Sequence, residues 1–260
     1  SNTAAQSPVD IWKLSGPNLN SQLNHIWSIG YFKEIANPAL NLSFEFYYKK
    51  LKNNIGYKEG AELTLNQNLE TELINGSGKS YGMEMLLNKI EGKSTGWISY
   101  TFSRSFSRLS GEFLEEQINQ GEYFPSNFDK PHILNVVYSY NFSSRLSSSL
   151  NFVYNSGRPI TVPESAYYYN GSIIANYLKR NQERVPDYHR LDLSVTLENK
   201  KKKSRDWETS WTFSLYNVYG RKNPFSVYFS TIRDGRLPQA YKLSVLGSII
   251  PALTFNFDLK

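Results

Sequence analysis

Large apolar side chains occupy every second position of a stretch in the middle of the chain. Apart from Val137, the residues between them are small or polar from Leu134 to Phe142, and after a break at residues 143–145 the alternation resumes with Leu146, Leu150, Phe152 and Tyr154. A period of two puts successive side chains on opposite faces of a strand, so the pattern predicts two strands joined as an antiparallel hairpin. About 9–11 tilted residues cross a bilayer, which means that this hairpin can span a membrane.

The same alternation recurs along the rest of the chain and predicts about nine strands. Its segments lie at residues 23–31, 40–48, 81–87, 98–106, 134–142, 146–154, 191–197, 211–215 and 253–259. Short connections near residues 35–38, 90–95, 143–145 and 199–206 alternate with long ones near residues 52–79, 108–130, 157–187 and 220–251. Outer-membrane barrels combine short periplasmic turns with long outer loops in this way, whereas a soluble β-sandwich has no reason to do so. The pattern therefore predicts an all-β fold, a transmembrane antiparallel β-barrel.

The two faces of the predicted strands differ in chemistry, which predicts the side chains that face lipid. We expect lipid around Val136, Tyr138, Phe152, Leu193, Phe213 and Phe255, and a watery interior around Asn135, Ser149, Asp192, Ser194 and Asn256. The apolar stripes end in Trp, Tyr and Phe, as the aromatic girdles of a membrane barrel do. Counting strands back from the end of the chain places the turn with Lys200–Lys203 in the periplasm. It also places the loops with Glu116 and Tyr168 outside the cell.

The composition excludes several classes of chemistry. None of the 260 residues is Cys, which rules out disulfide bonds, cysteine-based metal sites and cysteine nucleophiles. The net charge is +6, but Lys200–Lys203 supply four of the positive charges in one turn. A solvated turn at the membrane surface explains this charge better than nucleic-acid binding does. Gly-rich phosphate loops are absent, and we expect no cofactor.

Five short motifs resemble TonB-dependent outer-membrane receptors of the Bacteroidetes type. In chain order they are GKSYGME at residues 78–84, GWISYT at 96–101, FPSNFD at 124–129, PDYHRLDL at 186–193 and YNVYGRKNP at 216–224. Their order along almost the whole chain carries the resemblance, because each motif alone is short. The resemblance implies a plugged barrel of about 22 strands that imports a scarce nutrient such as a ferric chelate, a glycan or a peptide. Energy for the import would come through TonB.

The resemblance also implies how this chain fits into the receptor. Residues 1–21 are expected to be an outer-loop segment, and residues 22–260 the C-terminal part of the barrel, with the plug and the earlier strands outside this chain. The implied partners are the upstream part of the same receptor, TonB through its N-terminal region, a surface lipoprotein, and outer-membrane lipid and lipopolysaccharide. The family usually ends on an aromatic residue, whereas this sequence ends on Lys260.

Two groups of aromatic residues in the long connections are the candidate ligand-binding residues. They are the pair Tyr123 and Phe124 and the run Tyr167, Tyr168 and Tyr169. Aromatic rings at these positions could stack on a sugar, a ferric chelate or a peptide. They could equally pack the loops against each other or against lipid headgroups, and the sequence leaves these alternatives open.

Two other functions are weighed against a receptor. His132 and His189, with Asp129 and Asp187 near by in the sequence, could belong to an outer-membrane hydrolase, but no spacing brings a nucleophile and a base together. We therefore predict that the protein is not an enzyme, and the spacing supports no metal site either. The remaining alternative is a receptor-like barrel that serves as a structural subunit of an outer-membrane complex.

Overall fold

The computed structural model describes residues 14–259 apart from residues 17–18, 37–38, 63–65, 112, 200–206 and 230–238. In this part of the chain, nine long strands form one antiparallel sheet whose spatial order follows the chain order. They are β1 (Leu23–Ile35), β2 (Leu40–Tyr57), β3 (Leu73–Lys89), β4 (Ser94–Leu109), β5 (His132–Asn141), β6 (Leu146–Asn155), β7 (Tyr188–Glu198), β8 (Trp207–Tyr216) and β9 (Ile250–Leu259). The predicted all-β, antiparallel architecture is confirmed.

The connections between the strands alternate in length as the sequence predicts. The short ones are residues 36–39, 90–93, 142–145 and 199–206, and the long ones are residues 58–72, 110–131, 156–187 and 217–249. Sequential antiparallel strands therefore place all long connections at one end of the sheet and all short turns at the other. The turn with Lys200–Lys203 and most of the segment 1–21 lie outside the described residues.

The first long connection is shorter than predicted, because β2 and β3 continue well past their regular alternation. They pair as far as Tyr57 with Leu73, beyond an irregularity between Lys52 and Asn54 that interrupts the period of two. Gly76 lies in this extension, and a Cβ atom there would sit 2.1 Å from the carbonyl oxygen of Arg108. Glycine thus allows the close approach of β4, although the same residue made the segment look like a loop in the sequence.

The register of the strands sorts the side chains into two faces, in the groups that the sequence predicts. On one face, Tyr138 pairs with Leu150 and Leu150 with Leu193. On the other face, the hydroxyl groups of Ser149 and Ser194 lie 2.6 Å apart, and those of Thr196 and Thr212 lie 2.9 Å apart. Rings on the apolar face are accessible from outside the sheet: Phe213 and Phe255 are each about half exposed, at 49% and 50%. A continuous exposed apolar surface of this kind indicates contact with lipid or another protein.

The sheet has two open edges in the part of the chain that the structure describes. The first strand, β1, pairs only with β2, and the last strand, β9, pairs only with β8. Unpaired N–H and C=O groups in hydrocarbon cost several kcal/mol each, so a membrane wall must pair both edges with further strands. As part of a membrane wall, the nine strands would need further strands at both edges.

No helix in the described ranges is long and apolar enough to cross a membrane.

Lysine scanning of adjacent positions on β7 tests the assignment of the two faces. We expect Leu193→Lys to cost about 2–4 kcal/mol, because it puts a charge on the apolar face near the middle of the strand. The matched change Ser194→Lys on the polar face should cost much less. Both free energies come from refolding titrations of the intact barrel in lipid vesicles, and equal costs would contradict the assignment.

Candidate functional site

The four long connections follow strand ends on the same side of the sheet, and we call them the loop layer: residues 58–72, 110–131, 156–187 and 217–249. One small core joins strand ends to the second connection and consists of Ile74, Leu109, Ile118 and Phe124. A second core joins the third and fourth connections through Ile160, Val185 and Val227. Each cluster combines segments distant in sequence, so apolar burial holds the connections against each other.

Short local elements shape the loop layer. Two 3-10 turns, Leu114–Glu116 and Ile118–Gly121, lie in the second connection. The third connection carries the hairpin Ser165–Tyr169 with Ser172–Asn176. The fourth carries a further hairpin, Ser226–Phe229 paired with Ala240–Leu243.

A buried carboxylate, that of Asp129, ties the second and third connections to the sheet. Its side chain is fully buried and accepts hydrogen bonds from the Ser105 backbone N–H at 2.7 Å and from Arg104 Nε at 3.2 Å. Arg184 pairs with the second carboxylate oxygen and also donates to the carbonyl oxygens of Asp129 and Gly157, each at 2.9 Å. Two arginines and a backbone amide thus satisfy the charge that burial would otherwise make costly.

Two asparagines extend this attachment along the third connection. The Asn119 side chain accepts from the Arg180 N–H at 2.7 Å and donates to the Arg180 carbonyl at 3.0 Å. Asn181 donates to the Pro125 carbonyl at 2.9 Å and to Asn127 Oδ1 at 2.7 Å. Both asparagines adopt positive φ, near 52° and 58°, which Asn tolerates better than most residues. Burial lowers the pKa of the Arg180 guanidinium, which nevertheless stays protonated at neutral pH.

The fourth connection is attached to β7 by a comparable set of polar contacts. The buried Asn217 donates its backbone N–H to Asp192 Oδ1 at 2.9 Å. Asn223 bonds both backbone groups of His189, accepting from its N–H at 3.1 Å and donating to its carbonyl at 2.8 Å. Arg221 donates to the Asp187 carbonyl at 3.0 Å, which links the fourth connection to the third. Together with the ion pair of Lys58 with Glu116 at 2.7 Å, these contacts hold the described parts of all four connections to one another or to the sheet.

The Asp187 carboxylate closes the third connection against β6. It accepts from the Tyr154 hydroxyl at 2.7 Å and from the Gly157 N–H at 2.8 Å. These two donors, the tyrosine above all, hold the pKa of the Asp187 carboxyl below its ordinary value.

The structure separates the two residues of the first candidate pair. Tyr123 lies over the wall, with Lys79 Nζ 4.2 Å from its ring centroid and its hydroxyl 3.3 Å from Ser77 Oγ. Phe124 packs in the first small core and is only 5% exposed. Ligand contact at Phe124 would require the loop packing to open, whereas Tyr123 is accessible from outside the wall.

The three tyrosines of the second group share the exposed hairpin of the third connection. Tyr167, Tyr168 and Tyr169 are 52%, 73% and 67% exposed, so their rings are free to receive a partner from solution. Alternation along the strand puts Tyr168 on one face and its two neighbours on the other. Ligand binding by these residues stays a prediction.

In the described part of the structure, each of the two histidines considered for a hydrolase lies beside a tyrosine hydroxyl. His132 Nδ1 lies 2.8 Å from the Tyr100 hydroxyl, and His189 Nδ1 lies 2.8 Å from the Tyr219 hydroxyl. Asp129 and Asp187 instead accept from the donors given above, and no group of three or more His, Asp and Glu among the described residues is arranged to hold a metal. This geometry gives neither histidine a nucleophile and an orienting carboxylate.

Comparison with known families identifies the class of protein to which this sheet belongs. The family model for the TonB dependent receptor-like β-barrel matches residues 3–245. The chain belongs to this family. It is therefore an outer-membrane β-barrel segment, and the predicted transmembrane barrel class is confirmed.

Solved structures of receptors and transporters share the fold at low sequence identity. The chain matches the ferric-catecholate import receptor Fiu from K12 E. coli with a TM-score of 0.55 and 12% identity over 95% of this chain and 30% of that one. The FrpB iron transporter from Neisseria meningitidis matches with a TM-score of 0.56 and 12% identity over 92% and 32%. The ferric citrate transporter FecA matches with a TM-score of 0.52 and 12% identity over 90% and 31%. The chain thus spans about a third of these structures, and no curated protein sequence matches it.

Membership of this family indicates which side of the membrane each end of the sheet faces. Long connections of such barrels face outward, so we expect the loop layer to be extracellular. Two of the motifs that carry the resemblance, at residues 124–129 and 216–224, provide the contacts of Asp129 and of Asn217 and Asn223. Sequence reasoning did not foresee these anchoring roles, because each depends on a partner from a distant strand or loop. Asn followed shortly by Gly, as at residues 119–121 and 217–220, was the local signal for the turns.

Replacing Asp129 by Asn should loosen the loop layer without unfolding the wall. The change removes the buried negative charge that the partly exposed Arg104 and Arg184 share, and the weakened charge-assisted hydrogen bonds should cost about 1–3 kcal/mol. We expect trypsin to cut the third connection at least about tenfold faster in the intact receptor. Glu122→Gln, an exposed change in the same connection, is the matched control and should leave the rate unchanged. An unaltered rate in Asp129→Asn would show that the pair does not hold the loops.

Acid should release the Asp187 attachment. Because the folded pKa lies below the ordinary 3.8, the stabilisation is complete above that value and is lost as the pH falls through the lowered folded pKa. We expect the protection of the third connection from pepsin to exceed that in Asp187→Asn at about pH 5, and the difference to vanish toward about pH 2. Glu164→Gln, an exposed carboxyl of the same connection, should behave as the unaltered protein. A difference that stays constant with pH would contradict this role.

Proposed function

We propose that the chain is the C-terminal part of a receptor that imports a scarce nutrient, a ferric chelate, a glycan or a peptide, through a plugged barrel energised by TonB. Within it, residues 1–21 form an outer-loop segment and residues 22–260 form part of the wall. Membership of the TonB-dependent receptor-like family supports the proposal, and the matched receptors and transporters are not enzymes.

The polar inner face of the sheet is the observation that carries this proposal. It presents hydroxyl pairs, Ser149 with Ser194 and Thr196 with Thr212, and the ion pair of Arg190 with Asp192 at 2.9 Å. Such a face needs water or a polar protein surface against it, because isolated polar groups are costly in an apolar filling. A water-filled lumen holding a plug supplies both, which favours a transport pathway.

The exposed tyrosine hairpin is the ligand-binding element that we propose. Tyr167, Tyr168 and Tyr169 offer flat apolar surfaces with polar tips, and the attachments of Asp129 and Asn181 hold the base of their connection. An anchored base reduces the entropy lost when a loop closes on a ligand. A surface lipoprotein is a further proposed partner at the loop layer, and TonB would act through the upstream region.

Uptake by cells that carry the intact receptor tests the proposal. A panel of iron-55-labelled ferric citrate and ferric catecholate, tritiated oligosaccharides and tritiated peptides is offered to energised cells with and without TonB. We expect accumulation of one class that requires both the receptor and TonB. Accumulation of none, with the receptor still needed to assemble an outer-membrane complex, would favour the structural-subunit alternative.

Replacing all three tyrosines by alanine should weaken uptake of that same class at low concentration. Loss of stacking on one or two rings predicts a rise of about tenfold in the half-saturating concentration. Phe142→Ala, an exposed aromatic change in a short periplasmic turn, is the control and should leave uptake unchanged. An unchanged half-saturating concentration in the triple variant would remove the hairpin from the binding site.

A further inference from the structure

The tyrosine hairpin of the third connection, Ser165–Tyr169 paired with Ser172–Asn176, is built from uncharged residues. Residues 165–178, which contain the whole hairpin, include no Asp, Glu, Lys, Arg or His. What they offer to a ligand is tyrosine rings together with the amide and hydroxyl groups of asparagine and serine. Such groups make large contacts with polar ligands at little entropic cost, and the hairpin's own residues favour a ligand that is itself uncharged.

Contacts at both ends fix the shape of the tyrosine hairpin. Asn170 and Gly171 turn the chain with φ of 47° and 82°, the positive pair that a two-residue type I′ turn requires. At the other end, Asn176 Nδ2 donates to Ser165 Oγ at 3.1 Å, and the Glu164 N–H donates to the Asn176 carbonyl at 3.0 Å. A hairpin held in this way loses little conformational freedom when a ligand binds.

The alternation of side chains distributes the three rings over the two faces of the tyrosine hairpin. Tyr167 and Tyr169 share one face with Ile174, the cross-strand partner of Tyr167, whereas Tyr168 lies on the other face. The two rings of the shared face start from positions about 7 Å apart along the strand. Because one six-membered ring is too small to cover both, a ligand that uses this face contains at least two linked rings.

The two arginines that follow the tyrosine hairpin are engaged with other parts of the protein. Arg180 donates to the Tyr57 carbonyl at 3.1 Å, and Arg184 pairs with the buried Asp129. Ferric citrate and ferric catecholates carry negative charge, for which arginine is the preferred partner. The engagement of both guanidinium groups therefore disfavours a ferric chelate at the hairpin.

A peptide and an oligosaccharide would use different parts of the tyrosine hairpin. A peptide would add a strand to its edge, where a strand of five residues offers only a few backbone groups. An oligosaccharide would use the rings, because the C–H groups on a sugar face pack against tyrosine while its hydroxyl groups reach phenol and amide groups. Tyr167 and Tyr169 are 52% and 67% exposed, which favours the oligosaccharide.

We propose that the tyrosine hairpin binds a neutral oligosaccharide of two or more sugar units, whose rings stack on Tyr167 and Tyr169. Tyr168, on the opposite face, contributes less to this contact. The inference rests on the proposed function, since it names the class of nutrient that the receptor imports and the face of the hairpin that recognises it.

Titration calorimetry of the intact receptor in a detergent without sugar groups tests the proposal. The probes are size-graded fragments of neutral glucans, mannans and xylans, with oligogalacturonate, ferric citrate and tripeptides for comparison. We expect one neutral series to bind, and its single sugar to bind at least about tenfold more weakly than its trisaccharide, since one ring cannot reach both tyrosines.

Single substitutions test which face of the tyrosine hairpin binds. Tyr167→Ala and Tyr169→Ala should each weaken binding about fivefold or more, and Tyr168→Ala should weaken it less than either. Tyr167→Phe and Tyr169→Phe keep the ring and should retain most of the affinity. Phe128→Ala, which removes a ring that is 81% exposed from the second connection, is the matched control and should bind normally.

Failure of this proposal is distinguishable from failure of the proposed function, because binding in detergent needs no TonB. Binding of no neutral oligosaccharide, equal binding of the single sugar and the trisaccharide, or a larger loss in Tyr168→Ala than in the other two alanine variants would each overturn the proposal. TonB-dependent uptake of a chelate or peptide alone would also overturn it and leave the proposed function standing. Oligosaccharide binding with the expected variant effects, but without TonB-dependent uptake, would support it and contradict the proposed function.

Discussion

Backbone hydrogen bonding in hydrocarbon is the constraint on which the rest of this structure depends. A strand that crosses a membrane must pair all its N–H and C=O groups, so each strand needs a neighbour on both sides. The meander from β1 to β9 achieves this with short turns at one end, and only its two outermost edges are left for further strands. Once the ladder fixes the register, the period of two sorts apolar residues to one face and hydroxyl groups to the other.

Pairing within the wall frees the long connections for other tasks, but they must then be stabilised in another way. The apolar clusters around Ile118 and Val185 are small, and buried polar contacts complete the attachment. Asp129 with its two arginines is the clearest case, because three separate segments meet at one carboxylate. A network of this kind is specific in geometry, since any missing member leaves a buried polar group unsatisfied. It suits a loop layer that must hold one shape around an entrance.

The strands and the loops differ in how far the sequence could predict them. The hairpin of β5 and β6 follows from local alternation and a tight turn, and its register agrees with that expectation. The extension of β2 to Tyr57 was missed because a bulge and several glycines interrupt the pattern while the hydrogen bonds continue. Contacts such as Arg184 with Asp129 join residues 55 positions apart, and no local period encodes such a meeting. The same reason explains why Tyr123 and Phe124, neighbours in sequence, have different surroundings: one lies against Lys79 and the other in a core.

Accessibility at the two ends of the sheet tests the central claim most directly, and the absence of native Cys makes single-cysteine labelling clean. Tyr168→Cys in the third long connection and Ser144→Cys in a short turn are introduced separately into the intact receptor and treated with a membrane-impermeant maleimide. The account predicts that position 168 reacts on intact cells and that position 144 reacts only after the outer membrane is permeabilised. Reaction at position 144 but not at 168 on intact cells would contradict the orientation, and equal reaction at both would contradict a membrane-spanning wall.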